Sequence, residues 1–198
     1  MKFVHSLATR LLAAVALTIA AAGCSHPITM ITETAPPRAT AHLIPKKVAY
    51  VMTDAQRDQQ VTTAGGSGDR VSYYPYRDLE KSIRDALRAV YRDVVVLRTA
   101  GDAKANETAG VSLVFTPQIK TDSSSSSWLT WPPTSFTTEV NCIVSDAAGA
   151  EVTRVRAVGS GTAEFGEFNG DYGLAARRAA TRMTSQLSSE IRRNEKLR

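Results

Sequence analysis

Apolar residues recur along this chain with two different periods, and the periods divide it into elements. A helical period governs residues 76 to about 91, where Leu79, Ile83, Ala86, Leu87 and Val90 share one face and Arg77, Lys81, Arg84, Asp85 and Arg88 the other. Pro75 stands where a first helical turn tolerates it. The same period returns from Tyr172 to Arg193, with Tyr172, Ala176, Ala179, Ala180, Met183, Leu187 and Ile191 in one stripe. Its small residues allow close packing, and such a stripe reads as core before it reads as a ligand site.

Between these stretches the period shortens to two or the apolar run becomes continuous. Lys47–Met52 and Val94–Leu97 read as strands, and Gln60–Thr63 and Arg70–Tyr74 flank the glycines of residues 65–69 as a hairpin would. That loop, Gly-Gly-Ser-Gly-Asp, lacks the Lys, the Ser/Thr and the following helix of a phosphate-cradling loop. Residues 101–110, GDAKANETAG, read as a turn-rich loop. Strand character resumes over Val111–Lys120, where Pro117 requires an edge or a bulge. Phe136–Ser145 and Glu151–Thr162 pair as a hairpin around Asp146–Gly149, with Val152 and Val155 out of phase and hence a bulge. The pattern predicts an α+β fold: a mixed, mostly antiparallel sheet packed by two amphipathic helices, in one domain over residues 46–198. About 150 residues suffice for one core.

The N-terminal region follows neither period. Lys2 and Arg10 bracket a basic start, Leu11–Ala22 is almost wholly apolar, and the run ends in Ala-Gly-Cys. This is the form of a secretory signal, too short to span the roughly 30 Å hydrocarbon core of a membrane comfortably. The small residues before Cys24 resemble the bacterial lipobox, which implies a lipid on that thiol and cleavage just before it. Ala21 departs from that pattern, which more often has Leu there, so cleavage after Ala22 without lipid is the alternative. Ser25, where enterobacterial retention at the inner membrane resembles an Asp, favours outer-membrane sorting. The expected division is signal peptide 1–23, lipidated N-terminus and Pro-rich tether 24–45, and domain 46–198. Such a tether, with Pro27, Pro36, Pro37 and Pro45, would let the domain stand clear of the membrane.

Composition narrows the chemistry. The net charge is +5, and two of the cationic side chains, Lys2 and Arg10, belong to the signal. Arg177, Arg178, Arg182, Arg192 and Arg193 gather near the C-terminus and read as a solvated helix face. Nucleic acid is not an expected partner in the envelope. Cys24 and Cys142 are the two cysteines. With Cys24 carrying lipid, Cys142 has no partner for a disulfide and lies at an inward position of a strand, as a buried inert thiol would. The three histidines, His5, His26 and His42, fall in the signal or the tether, so no histidine base or zinc site is expected in the domain. No metal and no cofactor are expected. Glu164 and Glu167, beside Phe165, Phe168 and Asp171, are the nearest approach to the carboxylate pair of a glycan-cleaving enzyme.

The run Asp69–Leu87, with Pro75, Arg77, Asp78 and Leu79 opening a helix, resembles the YajG-like envelope lipoproteins, and the order of elements over residues 47–191 follows the same layout. The layout is also distantly similar to the α/β domains of the TolB N-terminal and CsgG kinds, although amphipathic barrel hairpins like those of CsgG are lacking. The resemblance implies a non-enzymatic accessory or scaffold lipoprotein on the periplasmic side of the outer membrane, with no catalytic residues to carry over. The most unusual segment, Thr121–Ser135, sets Trp128, Leu129 and Trp131 between serines and prolines. Aromatic residues of this sort are enriched at interfaces, which marks these three as the partner-binding candidates. The expected partners are the membrane, through Cys24, and an envelope protein, with a second copy of the chain as a further candidate. A glycan-acting enzyme using Glu164 and Glu167 and a carrier of a small ligand are the alternatives.

Overall fold

The computed structural model describes residues 25–32, 34–38, 42–65, 70–99, 103–125 and 134–198. Eight strands are described: β1 Ser25–Pro27, β2 Ile44–Val51, β3 Val61–Ala64, β4 Arg70–Tyr73, β5 Tyr91–Leu97, β6 Leu113–Ser125, β7 Thr134–Asp146 and β8 Glu151–Ala163. The helices are α1 Asp54–Arg57, α2 Pro75–Arg88, α3 Ala103–Thr108, α4 Phe165–Gly170 and α5 Leu174–Arg193. One sheet has the order β5-β2-β6-β7-β8 and a smaller one the order β1-β4-β3. β2 runs parallel to both neighbours, and the long β6-β7-β8 ladders are antiparallel. The class is the α+β expected from the periodicity.

Both long helices cover the same face of the larger sheet. Leu79, Ile83 and Leu87 from α2 and Ala179, Met183, Leu187 and Ile191 from α5 bury completely or nearly so against Tyr50, Phe115, Val140 and Val144. Gly159 and Gly161 of β8 set how near α5 comes. A Cβ added to either would stand 2.0 or 2.1 Å from a backbone carbonyl of the helix, so only glycine permits this approach. The smaller sheet extends the wall, with the β4 residue Tyr73 meeting Phe136 edge to face at 5.3 Å.

Several elements depart from the expected layout. The first helix ends at Arg88, three residues early, and Tyr91 opens β5 instead, fully buried against Phe115. Within the expected loop at 101–110, residues 103–108 form a short helix. Its Ala, Lys and Glu are good helix formers, and Gly110 stops it in a left-handed conformation with φ of 68°. β2 begins at Ile44, which draws Pro45 from the expected tether into the sheet. Pro117 lies inside β6 without any bulge toward β7. β2 pairs with β6 only as far as Phe115, and Ile119 N–H, on the same side of the strand two residues on, donates to the Tyr76 hydroxyl at 3.2 Å. The missing N–H of Pro117 therefore faces a side where β6 has no strand partner. The expected bulge at Val152 is present, opposite Val144 and Ser145.

The largest difference concerns the tether. Residues 25–27 are a strand, paired in parallel with Arg70–Ser72, and the chain then runs as a strap along the helices. Met30 is completely buried and gives its N–H to Asp78, the Thr32 hydroxyl meets that of Ser82, and Arg192 donates to Pro37 O. Burying one Met contributes on the order of 2 kcal/mol, enough to offset the ordering of only one or two residues, so the strap also needs these hydrogen bonds. The prolines that suggested a free linker are compatible with an extended docked segment.

Candidate functional site

Cys24, Trp128, Leu129 and Trp131 lie outside the described residues, but Ser25 after the cysteine and the chain on both sides of the tryptophan segment are placed. Ser25 pairs with Arg70, and Arg70 with Ala64, at the start of β1, the start of β4 and the end of β3. Ser123, two residues before the end of β6, donates to the Thr63 hydroxyl at 2.8 Å. Ser125 pairs with Thr134, and Thr134 with Ala163, after which α4 begins. His26 stacks on Tyr172, just before α5, with ring centroids 4.0 Å apart. The residue that follows Cys24, both flanks of the tryptophan segment and α4 thus share one end of the molecule. The turn of residues 147–150, the start of β2 and the C-terminus occupy the other.

The stretch from Pro75 to Leu79 builds the support beneath that end. Pro75 opens α2, the Arg77 guanidinium lies 3.7 Å over the Tyr74 ring, and Leu79 is fully buried. Asp78, 7% exposed, accepts the Met30 N–H at 3.2 Å. Burial pushes its carboxyl up from the usual carboxylate range, and the Met30 hydrogen bond and the Arg77 charge offset part of that. The role of these residues is to start a helix and hold the strap.

The acidic candidates are engaged with arginines. Both Glu167 oxygens pair with Arg178 at 2.9 Å, and Glu167 also accepts the Glu164 N–H at 3.0 Å. The Arg178 hydrogen bonds and that backbone donor bring its carboxyl down to about 2. Asp171 pairs with Arg177 and accepts the Gly173 N–H at 3.1 Å. A glycosidase acid requires the opposite shift, toward neutral pH. The constellation works instead as the start of α4 and its clasp to α5.

The remaining candidates are likewise structural. Cys142 is fully buried and its thiol is pushed up to about 12 by that burial, so it is unreactive. The C-terminal arginines make internal bonds: Arg178 to Thr162 O at 2.7 Å, Arg182 to Ser160 O at 2.5 Å, Arg192 to Ala89 O at 2.5 Å, and Arg193 to Glu190 at 2.8 Å. The crevice of about 370 Å³ between strap and helix, lined by Thr34, Leu174, Arg177, Arg178, Thr181 and Arg182, is open to solvent and rimmed by these engaged side chains. Among the described residues no three His, Cys, Asp or Glu come together as metal ligands, and no helix is long and apolar enough to cross a membrane.

The docked strap and the arginine contacts to β8 were missed by the sequence reading. The strap had a signal, since Ile28, Met30 and Thr32 alternate inward with Thr29 and Ile31, and Ile31 is 47% exposed. The arginine contacts had none beyond their spacing of four.

No family model matches the chain, and no curated protein does. Among solved structures, the chain is similar to the PelC dodecamer from Paraburkholderia phytofirmans, with 16% identity over 78% of this chain and 94% of that one and a TM-score of 0.39. It is also similar to protein XCC0632 from Xanthomonas campestris, of the family DUF330, with 9% identity over 84% of this chain and 89% of that one and a TM-score of 0.42. Both likenesses are too loose to assign a family or a function to this chain.

Proposed function

We propose that this protein is an outer-membrane lipoprotein, held by acyl groups on Cys24 with its domain in the periplasm, and that it is a non-enzymatic accessory or scaffold component of an envelope assembly. One observation carries the reading: the cysteine that ends the lipobox-like run is followed at once by Ser25, the first residue of β1. The residue next to the expected processing point is thus already paired, with Arg70, in a sheet. Two or more acyl chains on such a residue anchor stably, because each buried methylene contributes about 0.8 kcal/mol. The partner contact is assigned to Trp128, Leu129 and Trp131, whose flanking residues Ser125 and Thr134 stand at the same end as Ser25. That position suits an envelope protein at the membrane surface.

The enzyme alternative is disfavoured by Glu167, whose pairing with Arg178 holds it charged where an acid catalyst must keep a proton. The carrier alternative is disfavoured where α5 lies against Gly159 and Gly161, which leaves no space between helix and sheet. The test is a photo-crosslinker in place of Trp128 in living cells, with Cys24→Ser as control and mass spectrometry of the mature N-terminus. The expected result is an acylated Cys24 and one discrete adduct that disappears in the control. An unmodified N-terminus, or an adduct indifferent to Cys24, overturns the proposal.

A further inference from the structure

We infer that the domain is seated directly on the bilayer, in one fixed orientation, with the end formed by the start of β1, by Ala64 and Arg70 of the β3-β4 hairpin and by α4 against the lipid headgroups. The inference rests on the proposed anchoring through Cys24. Its second support is independent of any lipid chemistry: no slack separates Cys24 from the fold. Ser25 is paired with Arg70, His26 stacks on Tyr172, Ile28 donates to Ser72 O at 2.9 Å, and Met30 is buried. One peptide unit spans at most about 3.6 Å, so an acyl-bearing residue adjoining Ser25 brings β1 to the headgroups. The direction is fixed as well. β1 runs parallel to β4 and inward from this end, which places Ser25 outermost in the strand.

The surface so presented accepts a headgroup layer. Glu167 is paired there with Arg178 and Asp171 with Arg177, and the exposed Arg70 and Glu164 are of opposite sign, so the charges described at this end balance and do not repel zwitterionic or anionic lipid. Asn169, exposed in α4, marks this end, and Ala148, exposed in the β7-β8 turn, marks the other. The 20 residues of α5 run between the two ends, some 30 Å at 1.5 Å per residue, which keeps Ala148 out of reach of the lipid.

The test uses the full chain, processed in cells, purified and reconstituted into phosphatidylethanolamine and phosphatidylglycerol vesicles that contain brominated lipid. A fluorophore is placed on Asn169→Cys in one sample and on Ala148→Cys in another, the buried Cys142 staying unlabelled. Strong quenching at 169 and none at 148 is expected, and ten Gly/Ser residues inserted between Cys24 and Ser25 should abolish the quenching at 169. Equal quenching at the two positions, or quenching at 169 that survives the insertion, overturns the inference. If mass spectrometry finds no acyl group on Cys24, the anchoring proposal fails by itself. The geometry is then tested by coupling Cys24 to a maleimide lipid and reading the same two positions.

Discussion

The two edges of the larger sheet are finished in different ways. Along β8, side chains one helical turn apart on α5 reach the outward backbone groups. Arg178 donates to Thr162 O, Arg182 donates to Ser160 O, and Gln186 accepts the Val158 N–H at 2.8 Å. Along β5, Leu97 O accepts the Met52 N–H, which turns Val95 and Leu97 toward β2 and Val94 and Val96 outward. Among the described residues, no hydrogen bond meets those outward groups, and Arg38 reaches only Arg92 O, at 3.3 Å. An edge strand with unpaired backbone groups is a template for a further strand. The comparison teaches that two of the clustered arginines near the C-terminus, Arg178 and Arg182, close an edge, and that self-association of this domain, where it occurs, should begin at β5.

The largest effect is expected where the capped edge depends on glycine. Gly159→Ala drives a Cβ into the α5 backbone and should cost several kcal/mol, on the order of 3 to 5, measured as a lowered urea midpoint. A midpoint within error of the parent would show that helix and strand separate freely. Removing the cap is next. Arg178→Ala with Arg182→Ala uncovers two carbonyls and should cost about 1 to 3 kcal/mol and add concentration-dependent association in sedimentation. If the double variant stays monomeric, edge closure is not the role of these arginines.

Val96→Lys on β5 should suppress any association of the parent chain with little loss of stability, because Val96 is only partly buried and its backbone faces outward. Association that persists would move the contact elsewhere. The smallest effect concerns Glu167. Its folded-state pKa is depressed to about 2 from an ordinary 4.5, so its contribution to stability is present above about 4.5 and fades as pH falls toward 2. Glu167→Gln should flatten that acid limb and lower neutral stability by the same amount, a small one because the pair with Arg178 is exposed. An unchanged acid limb would show that the pair does not form in solution.

Much of the fold could be read in the sequence, because periodicity reports burial directly. Leu79, Ile83, Leu87, Met183, Leu187 and Ile191 all reach the core that their spacing assigns them. The bulge at Val152 and the inert Cys142 were legible for the same reason. What the pattern does not encode is long-range pairing of polar groups. Nothing local ties Met30 to Asp78, 48 residues away, or Arg182 to Ser160, and so the tether read as free and the arginines as solvated. The acidic candidates were legible as a cluster but not as an ion-paired one. A carboxylate pair and a helix clasp use the same residue types and differ in whether an arginine fills the gap.

Because β1 lies parallel to β4 and enters from the end that holds Ser25, tension applied at Ser25 acts along the strand. The interstrand hydrogen bonds then share the load in shear, together with the seated Met30, where a hairpin pulled open from its free end would lose its bonds one at a time. Ser25 is therefore held as in a lap joint, and a pull applied there would be resisted by the fold as a whole.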